Sequence, residues 1–231
     1  MKHQGKWQLF TGMGLVALFA ILTWLVQTVD VQPLGVNGTD IGFCTINSAF
    51  HELCDVHMTL YTITDWAGIV PIAVALSFAV KGLVQLIRRK SLFKVDGDIL
   101  LLGVHFIILA ALYVIFEMNP INYRPILIDG NLEASYPSST TLLVLSVMPT
   151  LKYQTDRRIA NPVTRKAIRV FIFAFSLFIV SGRTISGVHW ATDIVGSVFL
   201  STGLYLIYRF IAEYSSQKKM HRRSEASNGV Q

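Results

Sequence analysis

Long apolar stretches separated by short polar connections run through most of this 231-residue chain. Six of them, roughly 8–29, 62–87, 98–117, 138–151, 167–184 and 189–212, have the length and character of membrane-spanning helices, which need about 20 mainly apolar residues. The fourth is short and reaches full length either by beginning deeper or by continuing on the inner side through Tyr153. The first is too long for a removed signal peptide and lacks a small-residue cleavage site, so it reads as a retained span. The expected fold is therefore all-α: a polytopic membrane protein with six transmembrane helices in one domain over residues 1–213. Within the segment 30–61, Phe50, Leu53, Val56 and Leu60 recur at helical spacing, which predicts a surface helix over 46–60. The polar, basic residues 214–231 read as a disordered tail.

Composition supports this reading: 52% of residues are apolar, 15% are charged, and the mean hydropathy is +0.51, which excludes an ordinary soluble domain. The charges also set an orientation. Lys2 and Lys6 precede the first span, Lys81 to Lys94 surround the second connection, Lys152 to Arg169 the fourth, and Arg209 to Arg223 follow the last span. Alternate connections are thus basic, and both termini are expected on the cytoplasmic side of a cell membrane, read here as the bacterial cytoplasmic membrane. The net charge of +6 reflects this asymmetry and gives no reason to expect nucleic acid. Trp7, Trp24, Trp66 and Trp190 all fall near predicted interfaces and read as belt residues. Cys44 and Cys54 lie in the outward segment 30–61, where a disulfide is permitted and would contribute roughly 2–3 kcal/mol. His51 and His57 flank Cys54, but this spacing matches no closed four-ligand metal pattern, so neither a metal nor another cofactor is expected.

Of the twenty Lys and Arg residues, only Arg124 and Arg183 fall outside the basic clusters. Arg183 opens a run that contains His189 and Asp193, spaced four apart and expected on one face of the sixth helix. A carboxylate beside one imidazole nitrogen fixes the tautomer and leaves the other nitrogen free to attack or accept a proton. Ser186 stands where it can cap that helix. A second helix start, Pro137-Ser138-Ser139-Thr140-Thr141, combines Pro with hydroxyl residues, and helix starts offer free amides to anions. Arg124-Pro125 follows the third span. Two guanidiniums and an oriented histidine at the outer mouth of a bundle suit a phosphate group. His105, in mid-span, reads as a packing residue.

In order and spacing, Arg183, His189 and Asp193 resemble the third signature of the type 2 phosphatidic acid phosphatase family. Pro137-Ser138 resembles the start of its second signature, and Arg124-Pro125 the end of its first. The resemblance covers about residues 60–212. It implies a metal-independent phosphatase acting on lipid phosphates or diphosphates at the outer face of the membrane. His189 would be the nucleophile, Asp193 its orienting group, and Arg124, Arg183, Ser138, Ser139 and Thr140 the phosphate cradle. The chain departs from the pattern in three places: Glu117 stands for Lys, Gly182 for Ser, and Thr140 for the histidine that protonates the leaving oxygen. Loss of a general acid costs about 10²–10⁴ in rate. A diphosphate expels a phosphate whose second pKa is roughly 6 and needs that acid least, so a polyprenyl diphosphate is the expected substrate. A headgroup transferase on the same scaffold and a non-catalytic lipid-phosphate binder are the competing readings.

Overall fold

The computed structural model describes residues 2–228. Eight α-helices carry the chain: α1 (Lys2–Val26), α2 (Cys44–Cys54), α3 (Met58–Ala67), α4 (Ile69–Arg89), α5 (Gly97–Met118), α6 (Ser139–Arg158), α7 (Pro162–Ile185) and α8 (Ala191–Asn228). Among the described residues there are no strands, only isolated bridges such as Tyr123 with Ala134. The expectation of an all-α fold holds.

Among the described residues, five candidate spans are long and apolar enough to cross a membrane: Gly5–Val26, Met58–Arg89, Gly97–Met118, Pro162–Ile185 and Ala191–Lys218. The second comprises α3 and α4, which meet at Gly68. Pro71 explains the break, because it cannot donate to the carbonyl of Ala67 and its ring crowds that oxygen. The expected fourth span is α6, and it is not apolar enough to join the five. Its environment is protein, since α4, α5, α7 and α8 all pack around it. It therefore carries buried polar groups that find partners internally. Thr150 Oγ1 donates to Val147 O at 2.7 Å, and Gln154 Nε2 to the Tyr208 hydroxyl at 3.1 Å. The outer helices instead expose large apolar side chains such as Ile107 and Phe173.

Close backbone approach fixes the neighbours. α1 runs along α8, and a Cβ added at Gly12 would come within 2.9 Å of Gly203 O, and one at Gly203 within 2.9 Å of Gly12 O. Tyr136 closes one end of the core: its ring stacks on Phe19 at 5.9 Å and its hydroxyl lies 2.9 Å from Thr23 Oγ1. The opposite end is tied by half-exposed ion pairs such as Arg158 with Asp98 at 2.6 Å and Arg169 with Asp156 at 2.7 Å.

Four expectations need correction. The helix expected over 46–60 is two helices, because Asp55 takes a positive φ of 54° after Cys54. Of the tail expected over 214–231, residues 214–228 continue α8, in keeping with their good helix formers Glu, Gln, Lys and Arg, and 229–231 lie outside the described residues. Trp190 is buried and donates from Nε1 to Tyr123 O at 2.7 Å, so it pins a loop and does not sit in an interfacial belt. Cys44 and Cys54 are both free thiols. They stand at opposite ends of α2, about 15 Å apart at ~1.5 Å per residue, well beyond the ~7 Å that a disulfide can bridge. Alkylation of the denatured protein without reductant should therefore modify both cysteines, and adding reductant should leave Tm unchanged.

Candidate active site

The last turn of α7 brings in Arg183. A helix ends naturally here: Ser186 is its C-terminal residue, and Ser186 Oγ donates to Arg183 O at 3.0 Å. Ser186 thus closes α7 and does not cap the next helix. Gly187 follows with φ +67°, pressed so closely on Asp55 O that no side chain fits. His57 N donates to Ser186 O at 3.0 Å and completes this clamp. His189 therefore lies in a tight turn before α8 rather than on its face. Asp193 is the third residue of α8. Its Oδ2 accepts from Trp190 N at 2.9 Å, satisfying an amide at the start of the helix. The same oxygen lies 3.3 Å from His189 Nδ1.

His189 Nδ1 faces a carboxylate and so carries the hydrogen, which leaves a lone pair on Nε2. Nε2 lies 3.3 Å from Arg124 Nη1 and 3.4 Å from Ser138 Oγ. Burial, with the charges of Arg124 and Arg183 adding to it, holds the imidazole well below its ordinary pKa. The ring is accordingly neutral at pH 7, the form that can act as a nucleophile.

Arg124 sits in the connection between α5 and α6. Its backbone N donates to Glu133 O at 3.0 Å, and Ser135 N to Asn122 O at 2.9 Å, which holds this connection in a narrow loop. Its guanidinium is almost fully buried, with Nε 3.0 Å from Glu133 Oε2. Arg183 is completely buried. Its Nη2 reaches Thr140 Oγ1 at 3.0 Å and Asp65 Oδ1 at 3.1 Å, and Nη1 reaches Tyr61 O at 3.4 Å. Both guanidiniums share the Tyr61 ring, Arg183 at 4.6 Å and Arg124 at 5.6 Å from its centre.

The start of α6 faces the same place. Ser138 precedes the first turn, and its backbone N donates to Asp193 O at 3.2 Å. Pro137 lies one position earlier, outside the helix, and not in the first turn as expected. Ser138 Oγ makes no cap bond; it donates to Thr141 Oγ1 at 3.1 Å and borders His189. The amides of Ser139, Thr140 and Thr141 have no acceptor within the helix, as at any helix start.

The expected set of His189, Asp193, Arg124, Arg183, Ser138, Ser139 and Thr140 thus converges on one end of the bundle, whereas Cys44 and Cys54 are no part of it. Tyr61 and Asp65 were not anticipated. An ionisable residue within a span, such as Asp65 in 62–87, was the available signal. Each departure from the family pattern also has a setting. Gly182 packs on α3, where an added Cβ would lie 2.6 Å from Thr64 Cγ2. Thr140 orients Arg183. Glu117 borders a polar cavity of about 250 Å³ whose walls include Tyr61, Asp65, Arg124, Glu133 and His189. A second, largely apolar cavity of about 630 Å³ lies between α4, α5 and α6, walled by residues such as Ile72, Leu76 and Leu109. The two share Asp65, Tyr113, Ser139 and Leu142. Among the described residues, no three His, Cys, Asp or Glu side chains cluster as metal ligands.

A buried histidine–carboxylate couple beside two guanidiniums and a helix start, at one end of a multi-pass bundle and next to an apolar groove, defines a membrane protein that handles phosphate. Residues 72–216 match the PAP2 superfamily, and the chain belongs to that superfamily of phosphatases. The matched span contains Arg124, Ser138, Arg183, His189 and Asp193 but begins after Tyr61 and Asp65. The fold is similar to that of a transmembrane PAP2-type phosphatidylglycerolphosphate phosphatase from Bacillus subtilis. The two share a TM-score of 0.63 and 17% identity, over 89% of this chain and 97% of that one. No curated protein sequence matches the chain.

Two outcomes test this geometry. Ring-¹⁵N NMR should find His189 neutral at pH 6.5, where an ordinary histidine is half protonated, with protonation displaced to lower pH. Gly182→Ser should lower stability by about 1–3 kcal/mol through overpacking. Adding Thr64→Ser, which removes the obstructing methyl group, should restore much of the lost Tm.

Proposed function

We propose that this chain removes the terminal phosphoryl group from a lipid phosphate at the outer face of the membrane, by way of a phosphohistidine on His189. The observation that carries the proposal is the position of His189 Nε2, 3.3 Å from a guanidinium and 3.4 Å from a hydroxyl, with Asp193 behind the other nitrogen. A phosphorus atom held in front of Nε2 meets an oriented lone pair. Its oxygens meet Arg124, Arg183 and the free amides of α6, which neutralise charge as it shifts in the transition state. Asp193 stabilises the histidine as it becomes positively charged. The apolar cavity beside the site lies between helices and suits a long hydrocarbon tail.

The topology follows from counting α6 as the innermost of six crossings, enclosed by α3–α4, α5, α7 and α8, with α1 packed on α8. An even number puts both termini on one side, and the basic connections mark that side as cytoplasmic. The site lies at the other end of the bundle and faces outward.

Within this reading the preferred substrate is a polyprenyl diphosphate. Thr140 occupies the position of the family's proton donor, its oxygen accepts from Arg183, and a hydroxyl has no useful acidity at neutral pH. A simple monoester must expel an alkoxide, whereas a diphosphate expels a far weaker base.

The test is phosphate release by the purified protein in detergent with chelator present, on undecaprenyl diphosphate, phosphatidylglycerophosphate and phosphatidic acid in parallel. Release should be fastest from the diphosphate, and His189→Ala should abolish it. Equal rates on diphosphate and monoester, with Thr140→Ala harmless to both, would overturn the preference. No release from any substrate would overturn the phosphatase reading.

A further inference from the structure

Neither the matched motifs nor Thr140 supplies a proton to the oxygen that leaves when a lipid monoester is cleaved. We infer that Asp65 supplies it; this rests on the phosphohistidine reading above. With the phosphoryl group at His189 in the polar cavity and the tail in the apolar one, the ester oxygen joining them lies where the two cavities meet. Four residues border both cavities: Asp65, Tyr113, Ser139 and Leu142. Leucine has no proton to give, a serine hydroxyl is too weak an acid, and a phenol ordinarily holds its proton to about pH 10. A carboxylic acid is the only one of the four suited to the task at neutral pH.

Asp65 also has the right neighbours. Its Oδ1 and Thr140 Oγ1 share a single nitrogen, Arg183 Nη2, at 3.1 and 3.0 Å. The carboxylate is therefore on the same side of the site as the residue standing in the proton donor's place. Asp65 occupies a guanidinium that a phosphate oxygen will claim. An arriving phosphoryl group takes over Arg183 and frees the Asp65 carboxyl group for the leaving oxygen. Its side chain is 51% exposed, so solvent can deliver the proton. Glu133 differs: it pairs with Arg124 and borders the polar cavity alone, away from the tail.

The cycle closes without another reactant. His189 Nε2 attacks phosphorus with its lone pair, and the bond from phosphorus to the lipid oxygen breaks. That oxygen keeps the bonding electrons and takes the proton of Asp65, giving the lipid alcohol, the phosphohistidine and an Asp65 carboxylate. Water then enters where the alcohol left. The Asp65 carboxylate removes a proton from it as its oxygen attacks phosphorus, the bond to Nε2 breaks, and phosphate, neutral His189 and protonated Asp65 result.

The test compares Asp65→Asn and Asp65→Glu with the unaltered protein on two lipids, a long-chain alkyl monophosphate and a polyprenyl diphosphate. In a single turnover, Asp65→Asn should slow release of the alcohol from the monophosphate about 10²-fold more than it slows release of the prenyl monophosphate from the diphosphate. The later hydrolysis of the phosphohistidine, common to both lipids, should slow equally for the two. Asp65→Glu should recover part of the monophosphate activity. A measurable first turnover on the diphosphate shows that the variant is folded and that Arg183 still binds. An equal loss on both lipids makes Asp65 only an anchor for Arg183 and overturns the inference, as does an undiminished rate on the monophosphate. Failure of the unaltered protein to cleave either lipid instead refutes the phosphatase reading itself, and this inference with it.

Discussion

A guanidinium cannot be buried in a helical bundle unless acceptors surround it, and Arg183 is completely buried. Its partners come from three directions. Asp65 and the Tyr61 carbonyl belong to α3, Thr140 to the start of α6, and the Tyr61 ring covers its face. Satisfying this one cation therefore holds α3, α6 and α7 at fixed separations. The close packing of Gly182 on Thr64 follows from the same requirement, because a side chain there would push α3 away from the arginine it serves. Arg124 repeats the arrangement more loosely, with Glu133 and the same tyrosine ring. Its partner comes from its own loop, so it orders a connection rather than a helix pair.

In the proposed function, the anionic partners of these arginines are what a phosphate displaces. Two unpaired buried cations would be costly, and two permanent ion pairs would have nothing to offer a ligand. Asp65 and Glu133 are each more than a third exposed, which leaves both pairs open to competition. His189 is treated differently. It is held from behind by Asp193, which is itself fixed by the amide of Trp190, and the preceding turn is locked on Asp55 by a glycine that accepts no side chain. The proposed nucleophile is rigidly held and its counter-ions are exposed, a division that suits a site where one bond must be aimed and charge must be exchanged.

The departures from the family pattern are local adjustments to this packing. Glycine at 182 is demanded by α3, and threonine at 140 accepts a hydrogen bond from the arginine beside it. Glu117 reverses a charge yet stays on the wall of the polar cavity, so that wall has three carboxylates, Asp65, Glu117 and Glu133, and one guanidinium, Arg124. That balance leaves no excess positive charge, and binding in the proposed function then depends on exchanging partners.

The helices themselves were legible in the sequence because a span is a local property: length and apolar content suffice, and Pro71 even marks where one of them breaks. So were His189, Asp193, Arg124, Arg183 and Ser138, since charged groups at the ends of apolar stretches are conspicuous and their spacing is short. What the sequence could not express is which faces meet. α6 is polar because four helices enclose it, and read alone it is merely a short span. Asp65 and Tyr61 enter the site only because α3 lies on α7, a contact between positions more than a hundred residues apart. Cys44 and Cys54 looked close along the chain, but a helix holds them apart at its two ends. The sequence by itself determined the elements and the reactive groups, through hydrophobicity and local spacing. Only the tertiary structure decided the partners of each charge, because a buried charge is satisfied by whatever the packing brings against it.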